Sequence, residues 1–195
     1  MTTTIASVGD WNAWDGSTNA NITADFTLTA NDRKTLNSSI TVNGNGHTIT
    51  IQITSFTGLF IPVSAASGTY SIDYLHLDCD HTSTVNITTG GVVASISGGT
   101  YDLTVNRCSI QGDYLIKAYM GGIAGRYING VISNCCAFGG SLADISNSQN
   151  GYIYGDGAPS TMVIHNCFST GPINGGYGRG IAGSNYDGLI YDCYS

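Results

Sequence analysis

Short runs that alternate apolar and polar residues recur along the chain, with glycine-rich segments between them. Residues 22–29 and 48–53 show the alternation most clearly, and an Asn-Gly-Asn-Gly turn at residues 43–46 precedes the second run. A period of two places the apolar side chains on one face of a β-strand. Both runs are therefore predicted to be strands with one polar face, and the Asn-Gly segment is predicted to be a tight turn.

Two apolar phrases repeat further along the chain. In the first, a small residue precedes an aliphatic one, and the aliphatic positions are Leu59, Val92, Ile123, Ile153 and Ile181. The second phrase begins at Ile72, Val105, Ile132, Ile164 and Ile190. Successive members are 33, 31, 30 and 28 residues apart in the first phrase and 33, 27, 32 and 26 in the second. This period, with short strands and many glycines, predicts a β-solenoid whose coils stack as parallel strands.

One residue inside the second phrase must bend the chain. The aliphatic residue and the Cys that follows it are three positions apart, so a straight strand would place them on opposite faces. Asn134, Asn166 and Asp192 stand between the two in three coils, and Asn and Asp tolerate the left-handed backbone conformation that such a bend uses. Tyr74 and Arg107 occupy the position in the first two coils, where we predict a different turn.

Several of these phrases resemble known repeats. Residues 121–125 (GGIAG), 132–140 (ISNCCAFGG), 164–171 (IHNCFSTG) and 178–184 (GRGIAGS) resemble the GLUG-type repeats of bacterial surface proteins. Residues 42–51 (VNGNGHTITI) are similar to the first coil of right-handed parallel β-helix proteins of the pectate-lyase-like class. The resemblance implies an all-β fold, a right-handed parallel β-helix of about five to six coils. Because that fold carries adhesins, virion tailspikes and polysaccharide-cleaving enzymes, the resemblance implies architecture more than activity.

We predict one structural domain. Its N-terminal cap and first strands occupy residues 1–39, and the β-helix coils occupy residues 40–195, with the last coil incomplete after Ser195. Trp11 and Trp14 are three residues apart, which predicts a short helix with both rings on one side. Either this helix covers the apolar end of the first coil, or the two rings form a platform on which a carbohydrate stacks.

The charge balance excludes several kinds of partner. The chain has thirteen acidic residues, all Asp, against six Lys and Arg, for a net charge of −7. This excess of negative charge argues against a nucleic-acid backbone or an anionic membrane as partner. The N-terminal residues lack the basic and apolar segments of a secretory signal, and no segment approaches the length of a membrane span. Either a signal has been removed or the protein assembles in a cytosol, and we expect it at a cell or virion surface.

Four of the six Cys share one repeat position. Leu75 fills this position in the first coil, and the later coils place there Cys108, Cys135, Cys167 and Cys193. An exchange between Leu and Cys predicts an apolar core ladder of free thiols. Disulfides between in-register side chains would be strained, and a straight row does not surround a tetrahedral zinc ion, but both remain as alternatives. We expect no metal and no other cofactor.

The densest ionisable cluster comprises Asp73, His76, Asp78, Asp80 and His81. His76, Asp78 and Asp80 alternate, so they are predicted to share an outward face, where paired carboxylates can hold Ca²⁺ or act as acid and base. The cluster does not recur in other coils, and a solvated polar face explains it equally. Asp73, Asp78 and Asp80 are the catalytic candidates of the alternative function, a polysaccharide hydrolase or lyase.

Aromatic residues at outer or loop positions are the candidates for binding. They are Tyr127, Tyr154, Tyr177, Tyr186, Phe168 and Tyr194. Tyr127 and Tyr186 are interpreted as occupying equivalent turns, and Tyr supplies contact area at a low entropic cost. The leading hypothesis is a non-enzymatic structural or adhesive solenoid that binds a protein or a glycan through these residues. Assembly through the open C-terminal coil is a further expectation.

Overall fold

The computed structural model describes residues 1–37, 39–63, 68–79, 83–95, 102–117, 119–142, 149–157, 161–173 and 179–195. Within these ranges one helix, α1 (Val8–Ala13), accompanies twenty short strands. In chain order the strands are β1 (Thr2–Ile5), β2 (Asn19–Ile22), β3 (Phe26–Leu28), β4 (Lys34–Leu36), β5 (Thr41–Asn43), β6 (Thr48–Ile51), β7 (Ser55–Phe56), β8 (Phe60–Pro62), β9 (Thr69–Asp73), β10 (His76–Cys79), β11 (Val85–Ile87), β12 (Asp102–Asn106), β13 (Ser109–Gly112), β14 (Tyr114–Ile116), β15 (Gly130–Ser133), β16 (Cys136–Ala137), β17 (Ser141–Leu142), β18 (Val163–His165), β19 (Phe168–Ser169) and β20 (Leu189–Tyr191).

The strands form parallel sheets in which each strand pairs with its counterpart one repeat away. Sheet 1 has the order β1-β2-β5-β9-β12-β15-β18-β20, sheet 2 the order β3-β6-β10-β13-β16-β19, and sheet 3 the order β7-β11-β14-β17, while β4 pairs with β8. The chain visits the sheets in turn, and we call one passage from a strand of sheet 1 to the next a rung. The prediction of an all-β fold with parallel stacking is confirmed.

Sheet 1 contains eight strands, so the expected five to six coils were too few. The strands missed in that count come first in the chain, where Thr3 pairs with Ala20 and Ala20 pairs with Val42. These steps of 17 and 22 residues are shorter than the later period and carry neither repeated phrase. The segment predicted as cap and first strands therefore joins the same sheets as the rest of the chain.

In the five rungs that carry the second phrase, the chain leaves sheet 1 through one left-handed residue. Asn134, Asn166 and Asp192 have φ angles of 54°, 53° and 52°, as their residue types predict. Tyr74 and Arg107 both have a φ of 53°, so the different turn expected for them was wrong. All five rungs use one bend, because the stacked rungs before and after each bend impose the same backbone path.

The core is a continuous stack of inward side chains from successive rungs. The residues that begin the second phrase are fully buried in four rungs, as are Leu59, Val92, Ile123 and Ile153 of the first phrase. Next to the first phrase, isolated parallel bridges link consecutive rungs through Phe60, Val93, Ala124, Tyr154 and Ala182. Both repeated phrases therefore form columns along the stacking direction, and apolar burial between columns supplies the main stabilisation.

Helix α1 closes the N-terminal end of this core. Its N-cap Ser7 accepts a hydrogen bond from the Asp10 N–H at 3.2 Å, which satisfies a donor of the first helical turn. The Trp11 ring is fully buried and lies 5.6 Å from the Phe60 ring between centroids, and Trp14 is 4% exposed. Both rings face the protein interior, so the alternative of an exposed carbohydrate platform was wrong.

Within the described residues, none of the helical structure has the length and apolar character needed to cross a membrane.

Candidate binding surface

The predicted Asp-His cluster is divided between two faces of the molecule. Asp73 ends β9 in sheet 1, whereas His76 and Asp78 lie on β10 in sheet 2, beyond the left-handed residue Tyr74. Asp80 and His81 fall outside the described residues. The bend therefore directs Asp73 and Asp78 into different sheets, and the catalytic role of Asp73, Asp78 and Asp80 stays a prediction.

Asp73 is occupied by contacts with the next rung. Its Oδ1 accepts hydrogen bonds from Arg107 Nε and from Asn106 Nδ2, each at 3.0 Å, and its Oδ2 contacts the Arg107 guanidinium. The hydrogen bonds from Arg107 lower the pKa of Asp73, with smaller contributions from the guanidinium charge and from Asn106. Asp73 is thus held ionised in a structural ion pair.

His76 and Asp78 also contact their register partners in the following rung. His76 Nδ1 lies 2.6 Å from Ser109 Oγ, and Gln111 Nε2 donates to Asp78 Oδ1 at 3.3 Å. Burial lowers the pKa of His76, against a smaller opposing effect of the Asp25 carboxylate, so the imidazole is neutral near pH 7. These contacts form polar rows along the outer face of sheet 2, as expected for a solvated polar face.

Tyr154 is buried, so its assignment as an exposed binding residue was wrong. Its side chain is fully buried, and its hydroxyl accepts from Ile128 N at 2.9 Å and donates to Ile128 O at 3.0 Å. The cause is its place in the column of isolated bridges, where Tyr154 pairs with Ala124 and Ala182. Small residues in the two neighbouring rungs leave room for an inward aromatic ring.

Tyr127 and Tyr186 lie in equivalent turns, as interpreted, but at positions one residue apart. Because Ala124 and Ala182 lie in one column, Tyr186 corresponds to Ile128 and not to Tyr127. The Tyr186 ring packs 5.6 Å from that of Tyr154, and burial raises the pKa of its hydroxyl. Its role is therefore partly structural.

Tyr127 keeps an outward position. It is 47% exposed, and the Arg126 guanidinium lies 4.3 Å from its ring centroid. Its φ of 59° places it in a left-handed turn outside the three sheets. Tyr177, the remaining Tyr candidate, falls outside the described residues.

The remaining candidates, Phe168 and Tyr194, belong to an aromatic surface on the outer side of sheet 2. We call it the aromatic strip and define it as Phe138, Phe168 and Tyr194. The Phe138 and Phe168 rings meet edge to face at 5.0 Å, and the Phe168 and Tyr194 rings stack at 5.3 Å with planes 8° apart. Phe138 is 36% and Tyr194 67% exposed. Phe168 and Tyr194 are register partners in successive rungs. Phe138 lies two residues after Cys136, the register partner of Phe168, so its ring contacts Phe168 diagonally on the same face.

Sequence reasoning singled out Phe168 and Tyr194 but missed Phe138. A signal was present, because Phe138 lies two residues after Cys136 and therefore faces outward in a strand of period two. Beside Phe138 is an open depression of about 530 Å³ lined by Gln111, Gly112, Asp113, Phe138 and Gly139. The depression combines an aromatic ring with an amide and a carboxylate, so it offers both stacking and hydrogen bonding to a ligand.

The predicted core ladder forms a straight column of thiols beneath these surfaces. The Cys108, Cys135 and Cys167 backbone N–H groups each point to the sulfur of the next Cys in the column at 3.4 Å. All six Cys are free thiols, and burial raises the pKa of the Cys135 thiol. Within the part of the chain that the structure describes, no group of three His, Cys, Asp or Glu residues is arranged to hold a metal ion.

Comparisons with known proteins establish a fold and no family. No protein-family model matches the chain, and no curated protein matches its sequence. A solved structure of a putative immunoglobulin A1 protease from Bacteroides ovatus is similar, with a TM-score of 0.67 and 18% sequence identity. The match covers 97% of this chain and 62% of that chain. At this identity the likeness shows that the two chains share a fold and does not extend to their activities.

Proposed function

We propose that this protein is a right-handed parallel β-helix with GLUG-type repeats that acts as a non-enzymatic adhesive scaffold and binds a glycan through the aromatic strip. Its place is a cell or virion surface. The observation that carries the proposal is the row of three contacting aromatic rings, of which Phe138 and Tyr194 are exposed, beside a polar depression.

The stacking of the rungs supports the helical architecture. Each rung returns to sheet 1 and pairs in parallel with the strand before it, at a register that keeps the aliphatic residues of the second phrase in one column. Connections between parallel strands of one sheet are right-handed in about 98% of cases. A right-handed coil is the hand that this rule favours for the chain.

The chemistry of the strip fits a sugar better than a second protein surface. A sugar ring presents C–H groups that pack on an aromatic ring, and hydroxyl groups that pair with amides and carboxylates. Phe138 supplies the ring, and Gln111 and Asp113 supply the polar groups around the same depression. The net charge of −7 favours a neutral or basic glycan over an acidic one.

The placement of the acidic residues supports a binding role over hydrolysis. A glycosidase needs two carboxylates facing one bond, at a separation of roughly 5 to 9.5 Å. Asp73 is paired with Arg107 on sheet 1, and Asp78 accepts from Gln111 on sheet 2. The hydrogen bonds from Arg107 lower the pKa of Asp73, which is the opposite of what a general acid requires.

Binding to an array of neutral, basic and acidic glycans tests the proposal. We expect saturable binding that Phe138→Ala and Tyr194→Ala each weaken by about tenfold, the effect of losing one stacked ring. Tyr127→Ala is the matched control, since Tyr127 is an exposed aromatic residue away from the strip, and it should bind like the unchanged protein.

Three results would contradict the proposal. Equal glycan binding by the strip variants and the control would remove the strip from the site. Release of new reducing ends or unsaturated sugars from a panel of polysaccharides would show enzymatic activity. If Asp78→Asn abolished that release, the protein would be an enzyme and not a non-enzymatic scaffold. A protein partner that binds through the strip while no glycan does would refute the choice of ligand.

A further inference from the structure

The depression beside Phe138 indicates which class of glycan the protein selects. We propose that this depression binds the protonated amino group of an amino sugar, so that the ligand is a glycan with free amines. The inference rests on the proposed glycan function and names the chemistry of its ligand. The residues that carry it belong to internal rungs.

The depression is open because glycines form its floor. Gly112 and Gly139 have φ angles of 103° and 69°, in the region of positive φ that favours glycine. They lie on successive rungs, and a Cβ atom on Gly139 would be 3.0 Å from the Gly112 carbonyl oxygen. The volume of about 530 Å³ lies within the range of small-molecule sites, roughly 300 to 1,000 Å³. The depression is therefore large enough for a sugar residue.

The polar groups around the depression are mainly hydrogen-bond acceptors. Gln111 Nε2 donates to Asp78 Oδ1 at 3.3 Å, which leaves Gln111 Oε1 as an acceptor. Asp113 Oδ2 accepts from Thr84 Oγ1 at 2.8 Å, and no described residue donates to Asp113 Oδ1. A protonated amine has three N–H donors and no acceptor, whereas an N-acetyl group has one N–H donor and a carbonyl acceptor. The amine therefore matches these oxygen atoms better than the acetylated group does.

The depression is also negatively charged. The ion pairs found among the described residues involve other aspartates, so Asp78 and Asp113 take part in none of them. None of the described residues that line the depression is Lys or Arg. Burial raises the pKa of the Cys79 thiol, and the charges of Asp78 and Asp113 raise it further, which places both carboxylates near one core residue. Their combined potential attracts a cationic ligand.

The exposed ring of Phe138 suits the rest of an amino sugar. Phe138 lines the same depression as Asp113. The C–H groups of a sugar ring pack on an aromatic ring, and an ammonium group close to the ring gains a cation–π attraction. An amino sugar carries both groups on one ring, so a single residue of the glycan can contact Phe138 and Asp113 together.

A metal ion fits the depression less well than an amine. Ca²⁺ takes about six to eight oxygen ligands, whereas an ammonium group needs only about three acceptors. In the part of the chain that the structure describes, no three His, Cys, Asp or Glu residues are grouped to hold a metal ion.

Two oligosaccharides of equal length test the inference, a glucosamine oligomer and its fully N-acetylated form. Each is titrated into the full chain by calorimetry at about pH 6, where the amine is protonated. The glucosamine oligomer should bind about tenfold more tightly, the combined effect of one exposed ion pair and one cation–π contact. At about pH 9, where an amine of this kind is largely neutral, most of the difference should disappear.

Variants of the protein locate the preference. Asp113→Asn should reduce the preference for the amine by about threefold, since Asn keeps an acceptor for Thr84 but carries no charge. Asp102→Asn is the matched control, because Asp102 is exposed in the same rung but begins β12 in sheet 1, and it should leave both affinities unchanged. Phe138→Ala should weaken the binding of both oligomers, because the ring packs on the sugar in each case.

Equal affinities of the two oligomers at the lower pH would overturn the amino-sugar assignment and leave the glycan function standing. The same conclusion would follow if Asp113→Asn and Asp102→Asn had the same effect. An oligolysine of equal charge that binds as tightly as the glucosamine oligomer would show that the depression selects charge and not a sugar, which also overturns the assignment. If no glycan of any kind binds, the assignment and the proposed function fail together.

Discussion

Replacing Trp11 by Ala tests whether α1 closes the end of the core. The indole is fully buried, and its ring centroid lies within 6.0 Å of those of Trp14, Phe26 and Phe60. Its Nε1 also donates to Asp32 O at 3.0 Å. The substitution would leave a cavity among three aromatic rings and would open the first rungs to water.

The structure allows a rough magnitude for this loss. Truncation of a buried Trp to Ala costs about 3 to 5 kcal/mol, and the lost hydrogen bond adds about 1 kcal/mol because Asp32 O is near solvent. We therefore expect Trp11→Ala to lower the free energy of unfolding by about 4 to 6 kcal/mol. A domain is stable by only about 5 to 15 kcal/mol, so the variant would be close to the limit of folding.

Urea denaturation followed by circular dichroism measures the effect. With an m-value of about 2 kcal/mol/M, the midpoint should fall by about 2 to 3 M. Val8→Ala is the control, since Val8 is an exposed apolar residue of the same helix and its loss should change stability by less than about 0.5 kcal/mol. A midpoint shift below about 0.5 M for Trp11→Ala would refute the conclusion that this ring seals the core.

Three further predictions concern single groups. Burial lowers the pKa of His76, so the unfolded chain binds a proton at this residue more readily than the folded chain does. The stability that neutral His76 contributes is therefore lost as the pH falls below about 6.5. In urea titrations the loss of stability between pH 7 and 5.5 should be smaller in His76→Gln than in the unchanged protein, and identical pH profiles would contradict the assignment. Cys136 and Cys193 are the partly exposed thiols, so a thiol reagent should modify these two in the native protein and all six after denaturation, and fast reaction of a third thiol would show that the column is open. Tyr154→Phe should lower the free energy of unfolding by about 1 to 3 kcal/mol, because the buried Ile128 N–H and C=O groups lose their hydrogen-bond partner. Tyr127→Phe is the matched control. Equal stability of the two variants would refute the role of the buried hydroxyl.

The two repeated phrases were enough to predict parallel stacking and the core columns. When an aliphatic residue recurs at a nearly constant spacing, it can be buried by stacking on the equivalent residue of the next rung. The bends at Asn134 and Asn166 were predicted for the same reason, since their residue type tolerates a left-handed backbone. The bend at Tyr74 was missed because Tyr disfavours the left-handed backbone conformation. That conformation costs only about 1 to 2 kcal/mol, and the contacts between rungs exceed this cost.

The candidate site was predicted less completely, because sequence spacing fixes which face of a strand a residue occupies but not which sheet the strand joins. Asp73 and Asp78 are five residues apart, yet a single left-handed residue sends them to different sheets. The sequence pattern predicted an outward position for Tyr154, whereas the strand register places it in the core column between Ala124 and Ala182. Phe138 became part of a surface only when stacking brought Phe168 beside it.

The sequence by itself determined that rungs repeat, which side chains line the core, and that the chain is acidic, because these follow from the period and the composition of the chain. The tertiary structure alone decided which outward residues from different rungs become neighbours, because that depends on how the chain turns between sheets and on the register of each pair.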